Sequence, residues 1–284
     1  DDHPLSIGDQ VAVFEYDEST DTEMVVGSTV YTGFGSGVYD VDGSALNFSG
    51  GYLQISSSSD WAFGTDNFAI DFWYYTTKWD NDSEGFFAIG SSHGSEFWLS
   101  NSRKSPHDDL DLAFGSGQEY NSGWIPSLNT WYHLAIVRSG TGTDQTKFYV
   151  NGIEQWAGTV SHSFSAGNLY IGTGGNRVHS GNLDEFRIWN RALNQGEILQ
   201  KMSNVLDPSL ETGLIGYWRF DEGSGTTVYD LSGNGNDGII YNNATWTNDA
   251  APLSYSSSIH SIHITAWEAD PDNGLLEGFT AGSP

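Results

Sequence analysis

Two stretches near the C-terminal end concentrate side chains that could bind a hard metal ion. DLSGNGNDG begins at Asp230, and DPDNGLLE contains Asp270 and Asp272. Calcium prefers several oxygen ligands from Asp, Glu, Asn and backbone carbonyls in flexible loops. Neither stretch has the full EF-hand spacing, and Asx-rich turns that bind nothing are the alternative interpretation. Calcium is therefore the predicted cofactor, with these three aspartates as candidate ligands.

A second set of side chains, between residues 79 and 124, could bind a glycan. A sugar ring has an apolar CH face and a rim of hydroxyls, so its site needs aromatic rings that also offer polar partners. Burial of Trp98 and Trp124 in a core is the competing interpretation. The predicted carbohydrate-binding residues are Trp79, His93, Trp98, Arg103, Asp109, Tyr120 and Trp124.

Motifs for catalysis are not found in the sequence. It contains no H-E-x-x-H and no P-loop. It also contains no cysteine, which excludes disulfides, thiolate catalysis and a cysteine-based zinc site. We therefore predict that the chain is not an enzyme.

The charge balance restricts the partners. The chain has 37 acidic and 10 basic residues, and no basic residue follows Arg219. Such a surface repels phosphate backbones and anionic lipids, so neither nucleic acid nor membrane surfaces are expected partners. No apolar run approaches the roughly 20 residues of a membrane helix. We predict a secreted or cell-surface protein without membrane insertion.

The elements that must position these residues are mostly strands. Alternation in QVAVFEYDE and ALNFSGGYLQIS is typical of half-buried strands. An Asn-Gly pair inside KFYVNGIEQW predicts a β-hairpin. One short helix is predicted near residues 192–204, where Leu193, Ile198, Leu199 and Met202 lie near helical spacing. The fold class is therefore all-β with one short helix.

The order of these segments resembles the LamG-like jelly roll of the concanavalin A-like lectin/glucanase superfamily. The resemblance spans roughly residues 10–205 and implies a two-sheet antiparallel β-sandwich. It leaves the function open among lectins, adhesion modules, glycan-binding appendages and spacers. The segments that carry it are LNFSGGYLQI, NFAIDFWYY, WYHLAIVR, YVNGIE, LYIGTGG and GNLDEFRIWNRALNQGEI.

The resemblance also bears on the predicted absence of a catalytic site and on the candidate metal site. The glucanases of this superfamily use a Glu-x-Asp-x-x-Glu strand; the nearest match here, Glu15-x-Asp17, has Thr20 where the second Glu belongs. This departure removes the catalytic pair. Asp184 matches a position that often faces a cation, so the resemblance makes it the first candidate metal ligand. A turn-capping role, or an ion pair with Arg187, is the alternative.

A partial internal repeat lies near the end of the chain. WRFDEG (218–223) repeats the pattern of FEYDES (14–19), as if a second module began there. A hairpin or two cannot be stable alone, so this segment must pack on its own sandwich or complete one in another molecule. The predicted domains are an arm (1–9), the jelly roll (10–206) and a C-terminal β extension (207–284) that contains the partial repeat (214–246) and a terminal strand (257–269).

The terminal strand is the predicted assembly element, through Ile259, Ile262, Ile264 and Trp267. Burying them is worth about 1.5–3 kcal/mol each, which nearly cancels the cost of ordering some ten backbones at about 1–2 kcal/mol each. The strand therefore needs a sheet edge, either in another chain by β-augmentation or in its own chain.

Two functional hypotheses follow. The first is a non-catalytic extracellular structural or adhesion protein that self-associates through its terminal strands into a surface filament or array. The alternative is a calcium-dependent, lectin-like carbohydrate-binding module.

Overall fold

The computed structural model divides the chain into two units, Asp1–Val41 with Ser256–Pro284, and Asp42–Tyr255. The structure describes residues 10–17, 22–30, 43–79, 84–90, 96–101, 109–115, 118–174, 177–253 and 265–267. The larger unit contains two antiparallel sheets, which we call sheet I and sheet II.

Sheet I carries eight strands. They are β3 (Ala45–Ser49), β5 (Phe68–Thr76), β10 (Trp131–Arg138), β11 (Thr146–Val150), β12 (Ile153–Gly158), β16 (Ser180–Trp189), β17 (Leu214–Trp218) and β20 (Thr245–Thr247). Their order is β12-β11-β10-β5-β16-β3-β20, and β17 also pairs with β16. The long strand β16 therefore lies at the centre of the sheet, between β5 and β3.

Sheet II also carries eight strands. They are β4 (Tyr52–Ser58), β6 (Gly85–Gly90), β7 (Phe97–Asn101), β8 (Leu110–Phe114), β9 (Gln118–Asn121), β13 (Gly167–Ile171), β18 (Thr227–Val228) and β19 (Gly238–Tyr241). Their order is β18-β19-β4-β13-β6-β7-β8-β9. A two-stranded hairpin of β14 (Thr173–Gly174) and β15 (Arg177–Val178) connects β13 to β16.

The core lies between the two sheets. Phe72 of β5 and Phe186 of β16 stack at 5.1 Å, and Phe87 of β6 meets both rings at 5.8 and 5.5 Å. Alternate residues on each strand point into this layer because successive side chains of a strand point to opposite faces. The structure thus confirms the predicted two-sheet antiparallel sandwich. We call the face of each sheet that points away from this core its outer face.

The predicted helix is confirmed as α1 (Gln195–Met202). It begins with a capping box, in which the side chains of Asn194 and Glu197 each accept a backbone N–H bond from the other residue. Ile198, the residue after Glu197, is buried in a second hydrophobic cluster on the outer face of sheet I. No helix among the described residues is long and apolar enough to span a membrane.

The Asn-Gly hairpin is confirmed between β11 and β12. Asn151 and Gly152 form its turn with φ angles of 48° and 74°. Both values are positive, as a two-residue turn matched to the strand twist requires.

The observed domain boundary differs from the predicted one at residue 206. Strands β17, β19 and β20 of the partial repeat pair with β16, β4 and β3 of the same chain. Trp218, Phe220 and Val228 from this segment are fully buried in the core. The repeat is therefore part of the sandwich and not an extension, because its apolar side chains fill the space between the two sheets.

The smaller unit is a three-stranded antiparallel sheet. Its strands are β1 (Gln10–Asp17), β2 (Thr22–Val30) and β21 (Thr265–Trp267), in the order β2-β1-β21. Residues 10–30, predicted as the start of the jelly roll, belong to this unit instead. The backbone of Trp267 lies opposite that of Gln10 in the same chain. Of the other predicted assembly residues, Ile259, Ile262 and Ile264 lie outside the described residues.

Candidate functional site

The outer face of sheet II presents a group of tyrosines on neighbouring strands. Tyr52 of β4 lies directly opposite Tyr241 of β19, and their rings are 5.3 Å apart and within 19° of parallel. Tyr170 of β13 meets Tyr52 edge-on at 6.0 Å. Beside them, Gln54 lies between Ile239 and Tyr170 in one cross-strand row. We call these five residues the tyrosine platform.

The strand pattern explains why the platform faces outward. In YLQIS of β4, Leu53 and Ile55 point into the core, so Tyr52 and Gln54 point away from it. In GIIY of β19, Ile240 packs against the core and leaves Ile239 and Tyr241 on the other face. A one-residue shift of register would bury the platform and expose core residues.

The platform is amphipathic and partly accessible: Tyr52 and Gln54 are half-buried, and Tyr170 is buried. Tyr241 and Ile239 are each 41% exposed, and Tyr229, directly after β18, is 55% exposed. Asn168 donates a hydrogen bond from its side-chain nitrogen to the hydroxyl of Tyr170 at 3.0 Å. Aromatic rings with polar groups at their rim can stack on an apolar face and hydrogen-bond to hydroxyls around it.

The structure separates the predicted carbohydrate-binding residues. Tyr120 and Trp124 pack against the core from its edge, and the hydroxyl of Tyr120 donates to the carbonyl of Thr159 at 3.0 Å. Trp79 also packs there and stacks on Phe86 at 6.2 Å. These aromatic residues thus contribute to the sandwich interior.

The remaining members of that set lie elsewhere. Trp98 is half-buried on the outer face of sheet II, opposite the buried residues Ala88 and Ala113. Asp109 is buried, and its carboxylate accepts bonds from the side chain of Asn121 and the backbone of Gly123. His93 and Arg103 lie outside the described residues. Of the set, Trp98 alone shares a face with the tyrosine platform among the residues that the structure describes.

Asp184, the first candidate metal ligand, is buried at the centre of sheet I. Its two oxygens accept backbone N–H bonds from Glu185 at 2.8 Å and Ala251 at 2.9 Å. Burial, with the charge of Glu185 as a second cause, raises the pKa of Asp184 well above its ordinary value. These contacts correspond to the turn-capping alternative, because Arg187 pairs with Glu185 and Asp71.

Asp230 also satisfies its oxygens within the fold. It accepts backbone N–H bonds from Tyr217, Ser232 and Asn236 at 2.9–3.0 Å, as an Asx-type turn does. Asp270 and Asp272 lie outside the described residues. Within the described ranges, no three His, Cys, Asp or Glu side chains form a group that could hold a metal ion. Neither Asp184 nor Asp230 belongs to such a group, and calcium stays a prediction.

The largest group of buried charges among the described residues lies on the outer face of sheet I. Arg187 pairs with Glu185 at 2.5 Å and donates to the carbonyls of Lys201 and Asn204 beside α1. Asp71 accepts bonds from Trp189 at 2.6 Å and faces His133 at 3.1 Å. These bonds fix the end of the helix onto the sheet, which gives the carboxylates a structural role.

Sequence reasoning missed the tyrosine platform. Tyr52 looked like one apolar position of a strand, and Tyr241 and Ile239 belong to the partial repeat, whose strand partners are remote in sequence. One available signal was the alternation in YLQIS and GIIY, which places one residue set on each face. Which set faces the core depends on the pairing of β4 with β13 and β19.

Comparison with solved structures places the fold among known β-sandwiches. A candidate carbohydrate-binding protein from Bacteroides ovatus is 23% identical with a TM-score of 0.61, over 75% of this chain. This chain spans 61% of the length of that protein. No curated protein matches the chain.

Two further structures are more distant. A heptameric SAP-like pentraxin from Limulus polyphemus is 18% identical with a TM-score of 0.44, and covers 56% of this chain and 82% of its own. Domain 4 of an extracellular arabinanase from Geobacillus stearothermophilus, solved with arabinotriose, has the same identity and TM-score over 66% of this chain and 80% of its own.

A family model described as "Concanavalin A-like lectin/glucanases superfamily" matches residues 47–199. The matched region runs from β3 to α1 and so includes the central strands of both sheets. Because the match covers more than half of the sequence, the chain belongs to the Laminin_G_3 family of this superfamily.

Proposed function

We propose that the protein is a non-catalytic carbohydrate-binding module that acts outside the cell, and that it binds a glycan on the tyrosine platform. The observation that carries the proposal is the nearly parallel ring pair of Tyr52, which is half-buried, and Tyr241, which is 41% exposed. Monomeric soluble proteins seldom expose contiguous apolar surface without a binding role.

The chemistry of the platform supports a sugar ligand. The exposed ring of Tyr241, which stacks on Tyr52, offers apolar surface to the CH face of a sugar, while tyrosine hydroxyls and the amide of Gln54 can bond to sugar hydroxyls. Tyrosine also loses little conformational entropy on binding because it has few rotatable bonds.

A non-catalytic role is supported by the surroundings of the platform. Strands β4, β13, β18 and β19 contain no Asp, Glu or His, the residues that would supply a general acid or base to glycoside hydrolysis. The buried carboxylates of sheet I are engaged in structural bonds. The proposal requires no metal ion.

Affinity electrophoresis in gels with soluble polysaccharides tests the proposal. We expect at least one neutral polysaccharide to retard the full chain, and Tyr241→Ala to weaken this binding about tenfold, as the loss of a central aromatic contact does. Tyr241→Phe separates the ring from the hydroxyl and should keep most of the affinity.

Tyr75→Ala is the matched control. Tyr75 is half-buried on β5 of sheet I, where it contacts Trp131 at 5.4 Å, whereas the platform strands belong to sheet II. This variant should bind as the parent does. Equal loss in both variants, or no retardation by any glycan, would refute binding at the platform.

A further inference from the structure

The charges around the tyrosine platform define the class of glycan that it can accept, an inference that rests on the proposed function. Strands β4, β13, β18 and β19 contain neither acidic nor basic residues. The platform surface therefore consists of rings, aliphatic groups, hydroxyls and amides.

The charged residues within two positions of these strands in the sequence are all acidic. Asp60 follows β4 and accepts a bond from Asn236 at 2.7 Å, while Asp237 directly precedes β19. Asp230 lies next to Tyr229. An anionic sugar on the platform would meet like charge on this side and repulsion from the net charge of −27.

No described cation is placed to offset this repulsion. Arg138, Arg177 and Arg187 are buried, and Arg177 donates to the hydroxyl of Ser100 at 2.9 Å. The other described basic residues belong to sheet I or the segments that adjoin its strands and α1: Lys78, Lys147, Arg191, Lys201 and Arg219. Arg103 and Lys104 lie outside the described residues. An acidic glycan thus has no guanidinium or ammonium partner on the described platform strands.

We infer that the tyrosine platform selects uncharged glycans and rejects glycans that carry carboxylate or sulfate groups. Uncharged sugars have no ionic hydration shell to lose when they stack on the rings. The acidic side chains near the platform do not repel them. Anionic sugars would have to approach acidic side chains without a cation that compensates them, which disfavours their binding.

Matched polysaccharide pairs test this selectivity with the full chain. Hydroxyethyl cellulose is compared with carboxymethyl cellulose, and fully methyl-esterified pectin with polygalacturonate, at low and at high salt. We expect the neutral member of a bound pair to bind at least about fivefold more tightly than the anionic member at low salt, the effect of one nearby like charge in water. High salt should reduce this difference in affinity because it screens the repulsion between the anionic polysaccharide and the acidic side chains.

Variants that add one positive charge separate the effect of the platform surface from that of the net charge of the whole chain. Ile239→Lys places a cation on the platform and should raise affinity for the anionic member. Ile153→Lys adds the same charge on β12 of sheet I, where Ile153 is 62% exposed, and should change little. If the two variants behave alike, the local surface does not select the ligand.

The outcomes distinguish the two proposals. Retention of the anionic member as strongly as its neutral counterpart at low salt overturns the selectivity and leaves glycan binding intact. Absence of retention for every polysaccharide overturns glycan binding, and the selectivity with it.

Discussion

Arg138 shows how a single charged residue stabilises the interior of the sandwich. Its guanidinium is fully buried and lies 4.9 Å from the ring centre of Phe68 and 4.7 Å from that of Phe164. It donates to the carbonyls of Gly64, Asp66 and His162, each at 2.9 Å. One side chain thus bonds to three carbonyls of two loops, and the Gly64 carbonyl also accepts the backbone N–H of Phe164 at 2.9 Å.

Replacing Arg138 should therefore destabilise the fold strongly. Arg138→Ala removes the donor to the carbonyls of Asp66 and His162 and opens a cavity between two rings, so we expect a loss of about 3 kcal/mol or more in the free energy of unfolding. Urea denaturation measures it. Lys147→Ala removes an exposed ion pair with Glu154 and should cost less than about 1 kcal/mol. Similar costs for the two variants would contradict this role.

The buried pair of Asp71 and His133 makes stability depend on pH. Burial alone would raise the pKa of Asp71, but the hydrogen bond from His133 and the charge of Arg187 hold it below its ordinary value. Burial lowers the pKa of His133 below 6.5. Both groups thus bind fewer protons in the folded state than in the unfolded chain, so their contribution is complete above pH 6.5 and is lost on acidification.

We expect the urea midpoint to fall as the pH drops below 6.5 through the folded-state pKa of His133. His133→Gln removes this titration and should flatten the slope in that range, even if it lowers stability at neutral pH. Measuring urea midpoints of both proteins from pH 8 to pH 5 tests the linkage. Parallel curves would show that His133 does not contribute.

The secondary-structure elements that the sequence predicted correctly are those that local interactions determine. The Asn-Gly turn and α1 each depend on residues within a few positions, such as Asn151 with Gly152 and Asn194 with Glu197. The partners of β17 lie about 25–32 residues away in sequence, and those of β19 and β20 lie about 180–200 residues away. Their pairing depends on which edge and face the rest of the fold leaves open, which no local pattern contains.

The residues of the candidate site also depend on contacts between segments that are distant in sequence. Aromatic and polar residue types between 79 and 124 suggested a glycan site, yet Trp124 and Tyr120 contact the core because their strand and loop face inward. Tyr52 and Tyr241, which are remote in sequence, come together only through the pairing of β4 with β19. Residue type thus predicted the chemistry, and topology decided which residues are available for it.

The N-cap of α1 offers a local test. Asn194→Ala removes the acceptor for the N–H of Glu197 and should lower the free energy of unfolding by about 1 kcal/mol. Asn194→Ser keeps a side-chain acceptor and should lie close to the parent. Thermal and urea unfolding measure the difference. Equal losses in the two variants would indicate that a contact other than the cap is responsible.

The core of the sandwich is complete only when it includes the side chains of the partial repeat. Trp218, Phe220 and Val228 are fully buried, and each contributes about 1.5–3 kcal/mol by burial. Their sum is comparable with the roughly 5–15 kcal/mol that stabilises a whole domain. The predicted jelly roll of residues 10–206 would therefore lack a large part of its core.

Truncation should show this difference directly. A chain of residues 42–255 contains every residue of both hydrophobic clusters, so we expect a cooperative melting transition close to that of the sandwich in the full protein. A chain of residues 42–206 lacks β17 to β20 and should not fold. Circular dichroism with thermal melting measures both, and a cooperative transition for residues 42–206 would contradict the observed boundary.

The terminal strand requires a separate comparison. Its need for a sheet edge was predicted from the near balance of burial and ordering energies, and its described residues, Thr265–Trp267, pair with β1 of the same chain. Pairing of β21 within the chain gives that strand no need for an edge in another molecule, so we expect light scattering to show monomers for both the full chain and residues 1–255. The comparison is made at low and at high salt, since the net charge of −27 opposes association until it is screened. Salt-dependent polymers of the full chain that disappear in the truncated chain would instead show that β21 exchanges between molecules, as β-augmentation requires.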